Sequence, residues 1–437
     1  MNDHHLGWPH AGHYPAPNNT LINDPTPIDQ AVYVPSVTPG FAQAVYSQNW
    51  KRPLPAGVQP QDLNFLDHSN PLFRISHVMS SAGQALNQRK PCIITRRDRQ
   101  RTKLICDSGG YQISSGVLKI KHQNDILKIL AWQEMHADVA MTLDVPTGPL
   151  LKPGYAYQSF NECLTKTIEY LDVYKKHRKN EDVIFLNVLQ GNTPSQCDTW
   201  YDAVKAYPFE GWAFAGPLRY NFYELCRRVL VMHAEGQLQQ KKWLHVLGTC
   251  ELFVGVLLTV LQRAINKYMN VDLRISYDTS SPFRNLSYNA AYTLPILNTQ
   301  EMTMPTRPIP DNKAYIGTKI IWPWPSPLGD RLTMGDICLG RRQGQVKYRD
   351  SQAENYIAHH NTAALCWGVA LANRVFDAEN VTHNHAIARP VGAAAEAIEH
   401  IIESQKMSVL NKYKGTFSLL PHNQYAASDD EERSVLA

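Results

Sequence analysis

The sequence predicts a (β/α)8 barrel with additions at both ends, and three observations point to that fold class. Short apolar runs recur through the middle of the chain. Each run closes on a polar turn containing Gly or Asp. Most are followed by a stretch with helical spacing. Strands alternating with helices over roughly 200 residues call for a parallel sheet with helical crossovers. Seven or eight such units fit a closed barrel, whose chemistry sits at the carboxyl ends of the strands.

The elements follow in order. Residues 1–65 are rich in Pro, Asn, His and Gly and read as an irregular arm, with a short strand at Gln30-Ala-Val-Tyr-Val-Pro35. His4, His5, His10 and His13 in this arm read as a polar tail rather than a metal site, since nothing near them would fix ligand geometry. The barrel core is expected over 66–300. Its strands are Pro91–Thr95, Lys103–Cys106, Asp138–Leu143, Val183–Leu189, Trp212–Ala215, Trp243–Leu247 and Asp272–Tyr277. Amphipathic segments at Tyr155–Lys176, Asn221–Glu235 and Glu251–Met269 supply crossovers. Over 301–437 a mostly helical elaboration completes the barrel. It contains a Pro-rich stretch (Pro305 to Pro327), helices at Ser351–Phe376 and Ala393–Glu403, and an acidic tail at Ser428–Arg433. There is no internal repeat.

Composition narrows the class. With 43% hydrophobic and 19% charged residues among 437, the chain can bury a sizeable core. No apolar run reaches the length of about 18 residues that a membrane span needs, so no membrane partner is expected. The opening Met1-Asn-Asp-His-His lacks the pattern of a signal peptide. Eight cysteines are scattered from Cys92 to Cys366 without a CxxC pair, which suits reduced thiols in a cytoplasm. A formal net charge of +4 does not by itself define a nucleic-acid partner.

What closes each apolar run carries the chemistry. The run at Leu104 ends in Asp107-Ser-Gly-Gly-Tyr-Gln112, and that at Val139 in Asp144-Val-Pro-Thr147. Gln190-Gly191, Ala215-Gly216-Pro217 and Gly248 close the next three, and the last ends in Asp278-Thr-Ser-Ser-Pro-Phe-Arg284. A lone Asp after a strand is usually a helix N-cap. Three in register, beside a glutamine and a Gly-Gly pair, should instead converge on one mouth. A carboxylate pair around a cleft can do nucleophilic and acid/base work at a sugar anomeric carbon. Glycines let a flat ligand approach the backbone. A third carboxylate could accept from a base that presents N–H donors, as guanine does at N1 and N2, while Gln190 or the Gly216 N–H donates to its O6.

Asp107-Ser-Gly-Gly-Tyr-Gln112 resembles the Asp-Ser-Gly-Gly-Phe/Tyr-Gln signature of the tRNA-guanine transglycosylase superfamily, a (β/α)8 barrel family. Further motifs follow in the family's order over residues 70–290. They are Asp144 after Ala137–Leu143, Gln190-Gly191, Gly211–Gly216, Leu244-His-Val-Leu-Gly248 and Tyr277-Asp278, with a fainter echo at Tyr356–Asn361. The resemblance implies that Asp278 attacks C1′ of a target guanosine and that Asp107 is the general acid/base. It implies that Asp144, Gln190, Gly191, Ala215 and Gly216 hold the base edge, with Ser108, Gly109 and Tyr111 lining the pocket and Tyr111 stacking on the base. The side chains near Val145, His245 and Val246 would shape the part of the pocket that meets the deazaguanine substituent. No cofactor is implied.

Departures from the family pattern bear on the substrate. The bacterial tRNA enzymes carry a Cys-x-Cys-x-x-Cys zinc motif followed by a histidine. Here the stretch from Asp336 to His360 offers only Cys338 with His359 or His360, and His383 and His385 are the nearby substitutes, so no metal is expected. Thr279-Ser-Ser-Pro-Phe-Arg284 and Val145-Pro-Thr-Gly-Pro149 replace loops shaped to tRNA. These changes resemble the DNA-directed (DpdA-type) branch, which implies DNA as partner, tRNA as the alternative, and a free 7-deazaguanine base (preQ0-like) as co-substrate. A non-catalytic nucleic-acid-binding barrel subunit is the rival from another class, and helper proteins remain open. Loss of the zinc subdomain puts in doubt the homodimer common in the superfamily. For the phosphates, Arg284 and the basic residues Arg89-Lys90 and Arg96-Arg97-Asp-Arg99-Gln-Arg101-Thr-Lys103 are the candidates, the run being expected to adjoin the mouth. Lys175–Lys179 and Arg341-Arg342 add smaller clusters.

Overall fold

Eight short segments pair into one parallel sheet. They are β1 (Val32–Pro35), β2 (His77–Ser81), β3 (Lys103–Asp107), β4 (Val139–Met141), β5 (Ile184–Leu189), β6 (Gly211–Phe214), β7 (Trp243–Val246) and β8 (Arg274–Thr279). The computed structural model describes residues 26–86, 90–341, 347–378 and 386–421. Neighbours run in the order β1-β8-β7-β6-β5-β4-β3-β2. The two end strands then meet, because Ser36 bridges Met79 and the Val37 N–H donates to the Met79 carbonyl at 3.0 Å. The sheet closes into the expected (β/α)8 barrel.

Helices α1 (Pro39–Ser47), α2 (Gln123–His136), α3 (Phe160–His177), α4 (Pro194–Val204), α5 (Phe222–Ala234) and α6 (Leu252–Tyr268) follow β1, β3, β4, β5, β6 and β7. Their starts are written locally. The side chains of Ser159, Thr193 and Asn221 accept from backbone N–H groups of the first turns of α3, α4 and α5, and Pro194 opens α4. After β8 an irregular stretch leads to α7 (Ser351–Asp377) and α8 (Arg389–Ser404). Alternation along each strand sends one set of side chains into the barrel and the other beneath the helices. Val34, Met79, Ile105, Met141, Val188 and Ala213 form the inner cluster.

Three expectations are corrected. Residues 1–65 are not simply an arm, since Val32–Pro35 is a barrel strand paired with β8, and a boundary at 65 would cut the barrel. The lead-in to β1 is tied down as well. The Ala31 N–H donates to Thr259 Oγ1, Gln262 donates to the Ile28 carbonyl, and Arg263 pairs with Asp29 and Asp377. The run Pro91–Thr95 forms consecutive turns rather than a strand, with Cys92, Ile93 and Ile94 buried near α1. The strand is instead His77–Ser81, followed only by the single turn Ala82–Ala85. Finally, the first part of α6 has no exposed face. Leu252 to Leu261 is buried all round because α7 and α8 cover its outer side.

The echo at Tyr356–Asn361 has a structural role. His360 Nε2 donates to the Tyr292 carbonyl and its Nδ1 pairs with Ser326. Asn361 accepts from the Tyr292 N–H and donates to the Pro282 carbonyl. Together they pin the chain that leaves β8. Cys338 donates to the Pro310 carbonyl, and among the described residues no three His, Cys, Asp or Glu gather as metal ligands. The histidines at 4, 5, 10, 13, 383 and 385, with Arg89, Arg342 and the tail 428–433, lie outside the described residues.

Candidate active site at the carboxyl ends of the strands

Period-two alternation decides which side chains reach the barrel axis. On β8, Ile275 and Tyr277 pack outward in the core while Ser276 and Asp278 face inward. On β7, Leu244 and Val246 pack outward, and Trp243 and His245 face inward. Asp107 ends β3 in register with inward Ile105, Gln190 follows β5 in register with Val188, and Ala215 follows β6 in register with Ala213. The predicted residues therefore share one end of the barrel.

Their contacts join them pairwise. Gln190 Nε2 donates to Asp144 Oδ2 at 2.8 Å, so the glutamine and the aspartate form one buried unit. Gly110 lies so close that a Cβ there would stand 3.1 Å from Asp144 Oδ1, which leaves backbone rather than side chain against that carboxyl. Gly191 takes φ +134° and Gly216 φ +59°, and a Cβ on Gly216 would come within 3.0 Å of the Gly191 carbonyl. The turns after β5 and β6 thus press together beside Gln190. Around β3, the Gly109 N–H donates to Asp107 Oδ2 at 3.2 Å. The fully buried Ser108 hydroxyl has no partner among the described residues, an arrangement that costs about 1–3 kcal/mol unless another group or water supplies one. The Tyr111 side chain lies outside the described residues.

Asp278 is the most elaborately held of the carboxyl groups. Its Oδ1 accepts from the Gly248 N–H at 2.9 Å and lies 3.1 Å from His245 Nε2. His245 Nδ1 lies 2.7 Å from Ser276 Oγ, which accepts from Trp243 Nε1, also at 2.7 Å. His245 was expected to shape the deazaguanine substituent pocket. It is instead fully buried with both ring nitrogens engaged, so it stands behind Asp278. Ser, His and Asp in one string invite comparison with a hydrolase triad. The fully buried Ser276, whose oxygen takes the Trp243 N–H, cannot present a nucleophile to a substrate.

Burial raises the proton affinity of two of the carboxyl groups. Burial pushes the Asp144 carboxyl up to about 7, against the hydrogen bond from Gln190. Burial also raises Asp107 above the ordinary carboxylate value, and the negative charge of Asp278 adds to the rise. Asp107, its proton affinity raised by burial, beside Asp278, whose Oδ1 takes the Gly248 N–H, is a pairing that acid/base-assisted displacement can use.

The basic run is not at this mouth. Arg97 is buried and ion-paired with Asp138 at 2.6 Å, and it donates to the carbonyls of Ile94, Thr102 and His136. Arg99 donates to the carbonyls of Met135 and Ala137, and Arg101 lies 3.8 Å from Asp98. Arg96 through Arg101 precede β3, and Asp138 precedes β4, so Arg97, Arg99 and Arg101 brace the amino end of the barrel while Arg96 is exposed there. Sequence adjacency to Asp107 misled here, because a strand of five residues carries the chain about 13 Å along the axis.

Arg284 does lie at the carboxyl end, on the turn Ser281–Arg284 after β8, with its Nε buried and, among the described residues, unpartnered. The sequence reading missed Arg219. This residue ends the turn after β6, its Nε is likewise buried and unpartnered, and its guanidinium stacks 4.5 Å from the Tyr220 ring centroid. Its Nη1 would stand 3.0 Å from a Cβ on Gly248, the residue whose N–H holds Asp278. Both guanidinium charges bear on the Tyr220 hydroxyl. Among the described residues neither arginine forms an ion pair. The signal for Arg219 was its position, three residues past a Gly that closes a barrel strand. Neither a protein-family model nor a curated protein matches this chain.

Proposed function

We propose that this barrel exchanges guanine in DNA for a free 7-deazaguanine base through a covalent aspartyl-glycosyl intermediate. The observation that carries the reading is the meeting, at one barrel mouth, of the doubly held Asp278 carboxylate with the buried Asp144–Gln190 pair. The first suits attack at C1′ and the second suits the N–H and carbonyl edge of a guanine-like base. The motif order that resembles the tRNA-guanine transglycosylase superfamily supports the same assignment.

In the first half-reaction an Asp278 oxygen bonds to C1′ while the C1′–N9 electron pair leaves with guanine, and the protonated Asp107 supplies the proton that the departing base takes up. In the second, N9 of the 7-deazaguanine gives its proton to Asp107 and bonds to C1′, and the Asp278 carboxylate is released. Asp144 accepts from the base N1–H and N2–H groups and Gln190 serves the O6 side. The target nucleotide must leave its stack to enter, at about a few kcal/mol. Arg219 and Arg284 hold its phosphates. DNA rather than tRNA is favoured by the missing zinc ligands around Cys338 and by the altered loops after Asp144 and Asp278.

DNA with labelled guanine should release label only when enzyme and a 7-deazaguanine base are both present. Asp278→Ala should abolish release and Asp107→Asn should slow it about 10²–10⁴-fold, with DNA binding retained in both. Release unchanged in Asp278→Ala would remove Asp278 from the role of nucleophile.

A further inference from the structure

We propose that Trp243, Ser276 and His245 form a one-way hydrogen-bond string that makes His245 a positioning residue for Asp278, dedicating Oδ1 to holding and Oδ2 to attack. The inference rests on the reading of Asp278 as nucleophile. Its directional part does not.

Direction follows from what each group can do. An indole N–H only donates, so Ser276 Oγ accepts from Trp243 Nε1. That leaves the Ser276 hydroxyl one proton and, among the described residues, one other hydrogen-bond partner, His245 Nδ1. Given to Nδ1, this proton makes the neutral imidazole an Nε2–H tautomer. Nε2 then donates to Asp278 Oδ1. An imidazolium would instead donate from Nδ1 to an oxygen already taking the Trp243 proton, leaving the serine hydroxyl without an acceptor. All three supporting residues are buried inside the barrel, where a half-satisfied string would be costly.

The consequence falls on the two carboxylate oxygens. Oδ1 receives two donors, Gly248 N–H and His245 Nε2–H, while no hydrogen bond reaches Oδ2 from the described residues. Two donors draw electron density to Oδ1 and make it the poorer nucleophile, so Oδ2 forms the bond to C1′. Oδ1 is then the carbonyl oxygen of the glycosyl ester. As the arriving base expels the carboxylate, charge returns to Oδ1 between the same two donors, a preorganised site for it.

The test combines a spectrum with kinetics on the whole chain. Nitrogen-15 NMR of histidine-labelled protein, with the His245 signal identified by its loss in His245→Gln, should show an Nε2–H tautomer at pH 7. In Ser276→Ala the tautomer should become mixed, because Nδ1 loses its donor. In base exchange, His245→Leu should lower kcat on the order of 10²-fold, and Ser276→Ala roughly 10-fold, as outer partners that orient a working group do. KM for DNA should be unchanged in both. His245→Gln, which can accept from Ser276 and donate to Asp278, should recover most of the rate. An Nδ1–H tautomer or an imidazolium in the wild type would overturn the direction. Full kcat in His245→Leu would overturn the positioning role. If the wild type exchanged no base at all, the transglycosylase reading would fail, and the tautomer alone would decide the string.

Discussion

Asp144 and Asp278 are both inward-facing carboxyl groups at the barrel mouth, yet they are solvated in opposite ways. Asp144 has one side-chain donor and deep burial, so its native carboxyl binds its proton more tightly than the unfolded one. The group therefore costs nothing below its ordinary value of 3.8, and stability is lost as pH rises from there to about 7. Asp144→Asn, which can still accept from Gln190, should raise the melting temperature at pH 8 and leave it unchanged near pH 3. The difference should be on the order of a few kcal/mol. On the proposed reading only the ionised form accepts from both base N–H groups. KM for the free base should then rise as pH falls below 7, and the variant should bind weakly at every pH. These aspartates were legible in the sequence because each closes an apolar run. His245 was misread because spacing gives a side chain its face of the strand, not its neighbours. The partner that redefines it, Ser276, lies 31 residues away.

Among the elements, the turn after β5 shows how tightly the mouth is built. A Cβ on Gly191 would meet the Cys197 backbone nitrogen at 2.6 Å, and its φ of +134° is one that L side chains rarely adopt. Gly191→Ala should cost about 1–3 kcal/mol in chemical denaturation and should displace Gln190 from Asp144. Base exchange should fall more than DNA binding does. Six of the eight strands were readable as apolar runs with Gly- or Asp-containing closures, and β1 only as a short strand within the supposed arm. The remaining strand, His77-Val-Met-Ser-Ser81, carries too few apolar residues to stand out, while the more apolar Pro91–Thr95 was taken in its place. Apolar content measures burial, and a buried turn satisfies it as well as a strand does. The all-round burial of the first part of α6 was unreadable for a related reason. Its cover, α7 and α8, begins about a hundred residues further along the chain.

On the proposed reading, the two ends of the barrel separate stability from binding. Arg97, Arg99 and Arg101 are spent at the amino end on Asp138, Asp98 and backbone carbonyls, whereas Arg219 and Arg284 stand at the mouth without ion pairs among the described residues. Arg97→Ala should destabilise the fold by about 3–5 kcal/mol, since it breaks a buried pair, and should leave the salt dependence of DNA binding intact. Arg219→Ala and Arg284→Ala should each reduce the salt slope by about 1 with little change in melting temperature. Equal losses of stability from all three would show that the mouth arginines are structural as well. The chain's modest net charge of +4 concealed this asymmetry, because composition sums charge over both ends.

Nucleoside mass spectrometry tests the central claim most directly. The chain and its Asp278→Ala variant would be expressed in a host that makes 7-deazaguanine precursors but lacks its own tRNA-guanine transglycosylase, and total DNA and total tRNA would be digested separately. The expected result is a 7-deazaguanine deoxynucleoside in DNA with the wild type and none with the variant. Modified nucleoside confined to tRNA, or DNA modified equally by Asp278→Ala, would contradict it.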